Sequence, residues 1–177
     1  MLTATINILD RVCGAHFNPA VSIAVLVKEG FSNFGFFVMI VLSQIIGGTL
    51  GVLIAYGSIY PNPETNTLEP GIAMLCPGKG LSKINDDGTY NCEPADGRAA
   101  LAMFIAEAVG TFLLVSVILS IKYYHKGPNE TKFFHVGLTL CGIITAIGPI
   151  SGASFNPAVG LVQPIFQTVA KDGTKIS

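Results

Sequence analysis

The stretch CGAHFNPAV at residues 13–21 returns as SGASFNPAV at residues 151–159, with seven of the nine positions identical. In both copies Asn-Pro-Ala stands at the start of an apolar run. Asn is a favoured helix N-cap, and Pro is favoured at the first helical position because its missing N–H needs no partner there. Two matched helix starts within apolar sequence predict two half-helices whose dipoles point at one centre inside a membrane. A soluble helix can begin with Asn-Pro by chance, but two long matching copies argue against that interpretation.

Composition and charge also indicate a membrane protein. Half of the residues are hydrophobic, 12% are charged and the net charge is −1, so neither a nucleic acid nor an acidic partner is implied. Residues 30–63 and 133–170 contain no charged residue, and the only one between Arg98 and Lys122 is Glu107. A bilayer span needs about 20 mostly apolar residues. We therefore predict an integral, multi-pass protein with three spans, at residues 34–57, 99–122 and 132–149.

The two repeats lie in uncharged stretches that are too short to be additional spans. They are predicted to be re-entrant half-helices at residues 12–28 and 151–167, and residues 168–177 are predicted to be a polar tail. Residues 58–98 are predicted to be a long aqueous loop, in which Cys76 and Cys92 could pair as a disulfide.

The connection at residues 122–132 carries three lysines in eleven residues. This lysine density favours the cytosolic side of the membrane for that connection. The long loop is separated from it by one span and would then face the opposite, oxidising side.

The paired Cys/Ser-Gly-Ala-x-Phe-Asn-Pro-Ala-Val motifs, Gln44 within SQIIGGTLG and Glu107 within AEAVGTFLL resemble the aquaporin, or major intrinsic protein, family. The resemblance covers roughly residues 12–60 and 99–167. It implies an all-α membrane fold, a right-handed bundle of six spans with two re-entrant half-helices, and a homotetramer in the lipid bilayer. Since this sequence provides about three full spans, we expect an incomplete domain from a truncated or fragmentary member.

The paired motifs predict how a pore would work. If Asn18 and Asn156 are N-caps, their side-chain oxygens are occupied by backbone N–H groups and their amide nitrogens turn toward the channel. These two donors would bind the oxygen of a passing water molecule, while the converging dipoles repel cations. The alternative is that both Asn residues only cap helices. The remaining motif residues are Pro19, Ala20, Pro157 and Ala158.

The predicted selectivity filter departs from the family pattern. Water-selective members have an Arg three residues after the second Asn, where this sequence has Val159. The resemblance assigns two further filter positions to Ile144 and Ala153. These residues predict a wide, apolar filter without a fixed cation, so that only the helix dipoles remain to exclude ions. A leaky cation pathway is a further hypothesis for such a filter.

Three polar residues are predicted to support the repeats. Glu107 is an ionisable group within a span, where an unpaired charge is costly, so it needs a partner. The resemblance implies that its carboxylate accepts backbone N–H groups of the second loop, that Gln44 supports the first loop, and that His16 lines or braces the cytosolic vestibule. The sequence contains no catalytic constellation and no metal-ligand spacing, so we predict no enzyme, no cofactor and no metal site.

The predicted function is a passive transmembrane channel for water or small neutral solutes. The alternative is a non-conducting truncated isoform or fragment that at most associates with intact subunits.

Overall fold

The computed structural model describes residues 2–58, 97–127 and 129–173, in which every regular element is a helix. Cys76, Cys92 and nearly all of the predicted loop at residues 58–98 lie outside the described residues. Within the described ranges, a single 3-10 turn, Phe31–Asn33, precedes the third of six α-helices. These are α1 (Leu2–Cys13), α2 (Pro19–Glu29), α3 (Phe34–Gly57), α4 (Gly97–Tyr124), α5 (Asn129–Ser151) and α6 (Pro157–Gly173).

Three of these helices are long and apolar enough to cross a membrane. The segments are Phe31–Ala55, Gly97–Tyr124 and Thr131–Ser151, with 25, 28 and 21 residues and mean hydropathies of 2.2, 2.2 and 1.8. They correspond to the three predicted spans, and α3 has the predicted bounds. α4 and α5 extend slightly beyond the predicted ranges because the polar residues that flank their apolar centres continue the helix.

The two Asn-Pro-Ala motifs each start a shorter helix. α2 has 11 residues and is therefore about 16 Å long, roughly half of the hydrocarbon thickness of a bilayer. The half-helices begin at the prolines, later than the predicted ranges. The residues before them form two loops, the first loop at residues 14–18 and the second loop at residues 152–156. At the other end, α6 continues through the first six residues of the predicted polar tail and ends at Gly173.

The helices pack so that the second loop enters the core. α4 packs against α5, α1 also packs against α5, α2 contacts α3 and α4, and α3 contacts α6. The α3–α6 contact is close at Gly48, where an added Cβ would stand 3.8 Å from Val162 Cγ2. The main buried cluster joins two loop residues to α4 and α5 and consists of Leu114, Val136, Ile143, Ala153 and Phe155.

Large apolar side chains cover much of the outer surface. In α3 none of the residues in the most apolar window is buried, and Phe104 and Phe112 on α4 are 72% and 69% exposed. A helix that is apolar on all sides is suited to a lipid environment. The outer surface therefore fits a bilayer, while the polar groups gather where the two loops meet.

Candidate functional site at the meeting of the two loops

The two loops adopt the same backbone conformation at their Gly-Ala dipeptides. Gly14 and Ala15 have φ values of 70° and 48°, and Gly152 and Ala153 have values of 87° and 54°. This left-handed region suits Gly and is unfavourable for Ala. The repeated dipeptide thus produces the same sharp turn in each repeat and directs the chain into the following half-helix.

Both Asn residues of the motifs cap the helices that follow them. Asn18 Oδ1 accepts a hydrogen bond from the Ala20 backbone N at 2.9 Å, and Asn156 Oδ1 accepts one from Ala158 N at 3.1 Å. Asn18 has the extended backbone of an N-cap, with φ −146° and ψ 120°. Each side-chain oxygen is therefore occupied, and the amide nitrogen points away from the capped helix.

The amide nitrogens tie the two repeats to each other. Asn18 Nδ2 donates to the Phe155 carbonyl oxygen at 2.7 Å, and Asn156 Nδ2 donates to the Phe17 carbonyl oxygen at 2.8 Å. Each acceptor immediately precedes the Asn of the other repeat. An amide NH₂ group has two donors, so one N–H on each side remains for another partner. The sequence predicted that the whole NH₂ group of each Asn faces a channel. In the structure one N–H of each group binds the opposite loop, so only the other N–H is left for a molecule in the channel.

Glu107 on α4 holds the second loop through four hydrogen bonds. Its Oε1 accepts from Ser151 Oγ at 2.6 Å and from Ser154 N at 3.1 Å, and its Oε2 accepts from Ser154 Oγ at 3.1 Å and from Phe155 N at 2.8 Å. Hydrogen bonds to a charged group are stronger than neutral ones. They stabilise Phe155 in its positive φ of 43°, a conformation that is strained for an aromatic residue.

Gly110 is a structural residue of the site that the sequence did not reveal. The Phe155 ring is 1% exposed and packs directly against α4. A Cβ built on Gly110 would stand 2.1 Å from Phe155 Cε1, so any larger residue there would have to displace the ring. Its role could have been inferred from its distance to Glu107 in the sequence, because a residue three positions later lies on the same face of a helix.

The first loop is held by an amide instead of a carboxylate. Gln44 Nε2 on α3 donates to the His16 carbonyl oxygen and to Ser22 Oγ, the latter at 3.0 Å. Lys122 on α4 lies on the other side of the loop, with its Nζ 3.1 Å from His16 Nε2. Sequence reasoning assigned Lys122 only to the basic connection and missed this contact. Within the described part of the chain, His16 Nδ1 and Gln44 Oε1 are buried without a hydrogen-bond partner.

The predicted pore residues surround one cavity of about 370 Å³ between the loops and helices α1, α4 and α5. Six of the predicted site residues line it: Asn18, Asn156, Ile144, Ala153, Val159 and His16. The other six do not line this cavity: Pro19, Ala20, Pro157 and Ala158 begin the two helices, and Gln44 and Glu107 hold the loops. Most of the remaining wall is apolar, with contributions from Ile6, Val21, Leu114, Ile118, Phe133 and Leu140.

No candidate metal centre accompanies this cavity in the described residues, which contain no cluster of three or more His, Cys, Asp or Glu side chains that could hold an ion. The wall of the cavity offers amide N–H donors, one imidazole, two ammonium groups, one carboxylate and apolar surface. These groups can orient a small polar molecule such as water by hydrogen bonding.

The sequence matches a family model described as Major intrinsic protein over residues 1–171. Among curated relatives, a probable aquaporin AqpM of Archaeoglobus fulgidus is 34% identical over 89% of this chain and 55% of that protein. Aquaporin AqpM of Methanothermobacter marburgensis is 33% identical over the same shares. Aquaporin NIP3-1 of Arabidopsis thaliana is 28% identical over 97% of this chain and 47% of its own length. The chain thus spans about half the length of the curated relatives it matches, and no solved structure matched it.

Proposed function

Because the chain belongs to the major intrinsic protein family, whose members are channels and not enzymes, we propose that it forms a passive channel for water and small neutral solutes. The family and the three apolar helices make it an integral membrane protein. The observation that supports this proposal best is the position of Asn18 and Asn156, which cap two opposed half-helices and line the same cavity.

The proposed mechanism uses the remaining donor of each Asn. Each half-helix begins with unpaired backbone N–H groups and about half a positive charge at its N-terminus. Since Asn18 and Asn156 are linked through the carbonyl groups of the opposite loops, both helix starts are directed at the same region of the cavity. A water molecule there would accept hydrogen bonds through its oxygen and turn its hydrogens outward, and a cation would be repelled.

The proposed filter selects by size and hydrogen bonding. Ile144 and Val159 are 44% and 41% exposed on the cavity side of the structure, and neither carries a charge or a hydrogen-bonding side chain. Ala153 leaves additional room because its side chain is a single methyl group. We therefore propose a wide apolar filter that passes water and small neutral solutes without strong discrimination between them.

We also propose a homotetramer in the bilayer, supported by the family resemblance. Cross-linking of the purified chain in detergent would test it, with a ladder ending at four subunits as the expected result. A ladder that ends at one subunit would contradict it. The competing proposal is a chain that conducts nothing by itself and at most associates with intact subunits.

Reconstitution of the purified 177-residue chain into liposomes separates conduction from the competing proposal. Stopped-flow light scattering would follow vesicle shrinkage after an osmotic step, first with an impermeant osmolyte and then with glycerol. We expect faster water efflux than in empty liposomes, a lower apparent activation energy, and measurable glycerol entry. Shrinkage at the rate of empty liposomes would overturn the channel and favour the non-conducting alternative.

A further inference from the structure

Two lysines and one aspartate line the cavity close to the ends of their helices, and we call this part of the wall the mouth. Among the described residues on its wall, the charged ones are Asp10 on α1, Lys122 on α4 and Lys132 on α5. The charges of these three wall residues sum to +1 when His16 is neutral, without the Glu29 carboxylate that lies 3.9 Å from Lys122 outside this wall. The predicted filter residues Ile144, Ala153 and Val159 are uncharged, so the fixed positive charge of the cavity lies at the mouth.

Lys122 is held in place by two partners. Its Nζ lies 3.1 Å from His16 Nε2 and 3.9 Å from Glu29 Oε1. Because an ammonium group has only donors, Nε2 must be the acceptor, which assigns the imidazole proton to Nδ1 and makes His16 neutral. Glu29 is fixed in turn by the Tyr123 hydroxyl, which donates to Oε1 at 2.6 Å.

The partners of Lys122 leave its charge available to the cavity. Glu29 compensates part of this charge, but it lines only a neighbouring cavity, whereas Lys122 lines both that cavity and the one that contains Asn18 and Asn156. The side chain of Lys122 is 35% exposed, so its ammonium group is accessible to an approaching ion. A fixed charge beside low-dielectric walls acts strongly on ions that approach through the opening.

We propose that Lys122 is a specificity-determining residue that excludes cations at this mouth. This inference rests on the proposed channel function and adds an ion barrier to it. Val159 gives the filter no charge, so Lys122 would assist the helix dipoles in repelling cations. Lys132 lines the same cavity and contributes to the same field, where it offsets Asp10.

The test compares potassium flux with glycerol flux in liposomes that contain the wild-type chain or a variant. Lys122→Met removes the charge and keeps a long side chain, while Lys122→Arg keeps the charge. Lys126→Met is the matched control, because Lys126 is exposed and does not line the cavity. We expect the ratio of potassium to glycerol permeability to rise about fivefold in Lys122→Met, the effect of one unit charge at about 4 Å in bulk water. It should stay at the wild-type value in Lys122→Arg and Lys126→Met.

The possible failures of this test are distinguishable. An unchanged permeability ratio in a Lys122→Met chain that still passes glycerol would overturn the role of Lys122 and leave the channel intact. A wild-type chain that passes no glycerol would overturn the channel and, with it, this inference. If Lys122→Met passes no solute because it does not fold, Lys122→Gln replaces it, and an unchanged permeability ratio in Lys122→Gln contradicts the proposal.

Discussion

At the scale of single residues, Asn18 and Asn156 connect the backbones of both repeats. Each oxygen caps its own helix and each nitrogen binds the carbonyl group before the other Asn. The cap could be predicted from Asn-Pro-Ala, because N-caps depend on local sequence. The cross-link could not, because its partners are 137 and 139 residues apart and meet only after the helices have packed.

Replacing either Asn should therefore lower the free energy of unfolding by more than the loss of an N-cap alone. We expect Asn18→Ala and Asn156→Ala each to lower the free energy of unfolding by about 2 kcal/mol, from the lost cap and one lost hydrogen bond. Denaturant titration of the chain in mixed micelles would measure this. Asn7→Ala is the control, since Asn7 is exposed on α1. A loss no larger than that of the control would contradict the cross-link.

Gly110 allows a second prediction with a matched control in another helix. Gly110→Ala should destabilise the chain by about 1–3 kcal/mol, because its methyl group would overlap the Phe155 ring. Gly47→Ala on α3 should be neutral or slightly stabilising, since an added Cβ there meets nothing within 4 Å and Ala favours helix. Thermal unfolding in detergent would compare the two variants. Equal unfolding temperatures would show that Phe155 does not pack as described.

At the scale of elements, the two loops share a left-handed Gly-Ala turn, but different side chains hold them in place. Glu107 holds the second loop through four hydrogen bonds, whereas Gln44 holds the first through two. That Glu107 needs a partner could be predicted, because an ionisable group within a span is costly when unpaired. The contact between Lys122 and His16 could not, because the sequence does not show how far the end of α4 reaches toward the first loop.

Glu107→Gln should loosen the second loop and leave the first unchanged. The substitution replaces one acceptor oxygen with a donor, so the amides of Ser154 and Phe155 lose part of their hydrogen bonding. We expect hydrogen exchange in a peptide covering residues 151–156 to be about tenfold faster, which corresponds to about one lost hydrogen bond. A peptide covering residues 19–24 is the internal control. Equal acceleration in both peptides, or none in the second loop, would contradict the anchoring role.

At the scale of the whole molecule, the fold class could be predicted from the sequence, but the residues that line the cavity could not. The uncharged stretches indicated three spans, because a charge is costly in the bilayer. α3, α4 and α5 are apolar on nearly all sides, so the sequence pattern does not distinguish a face toward the cavity from a face toward lipid. Ile6, Leu114 and Phe133 became cavity residues only through the packing of α1, α4 and α5.

Blocking the cavity tests most directly whether solutes pass between the two Asn residues. Val159→Trp places a large ring in the cavity, whereas Leu161→Trp places the same ring two residues further along α6, outside it. In the stopped-flow assay, we predict that Val159→Trp lowers water efflux to the rate of empty liposomes and that Leu161→Trp keeps the wild-type rate. Wild-type efflux through Val159→Trp would contradict a pathway through this cavity.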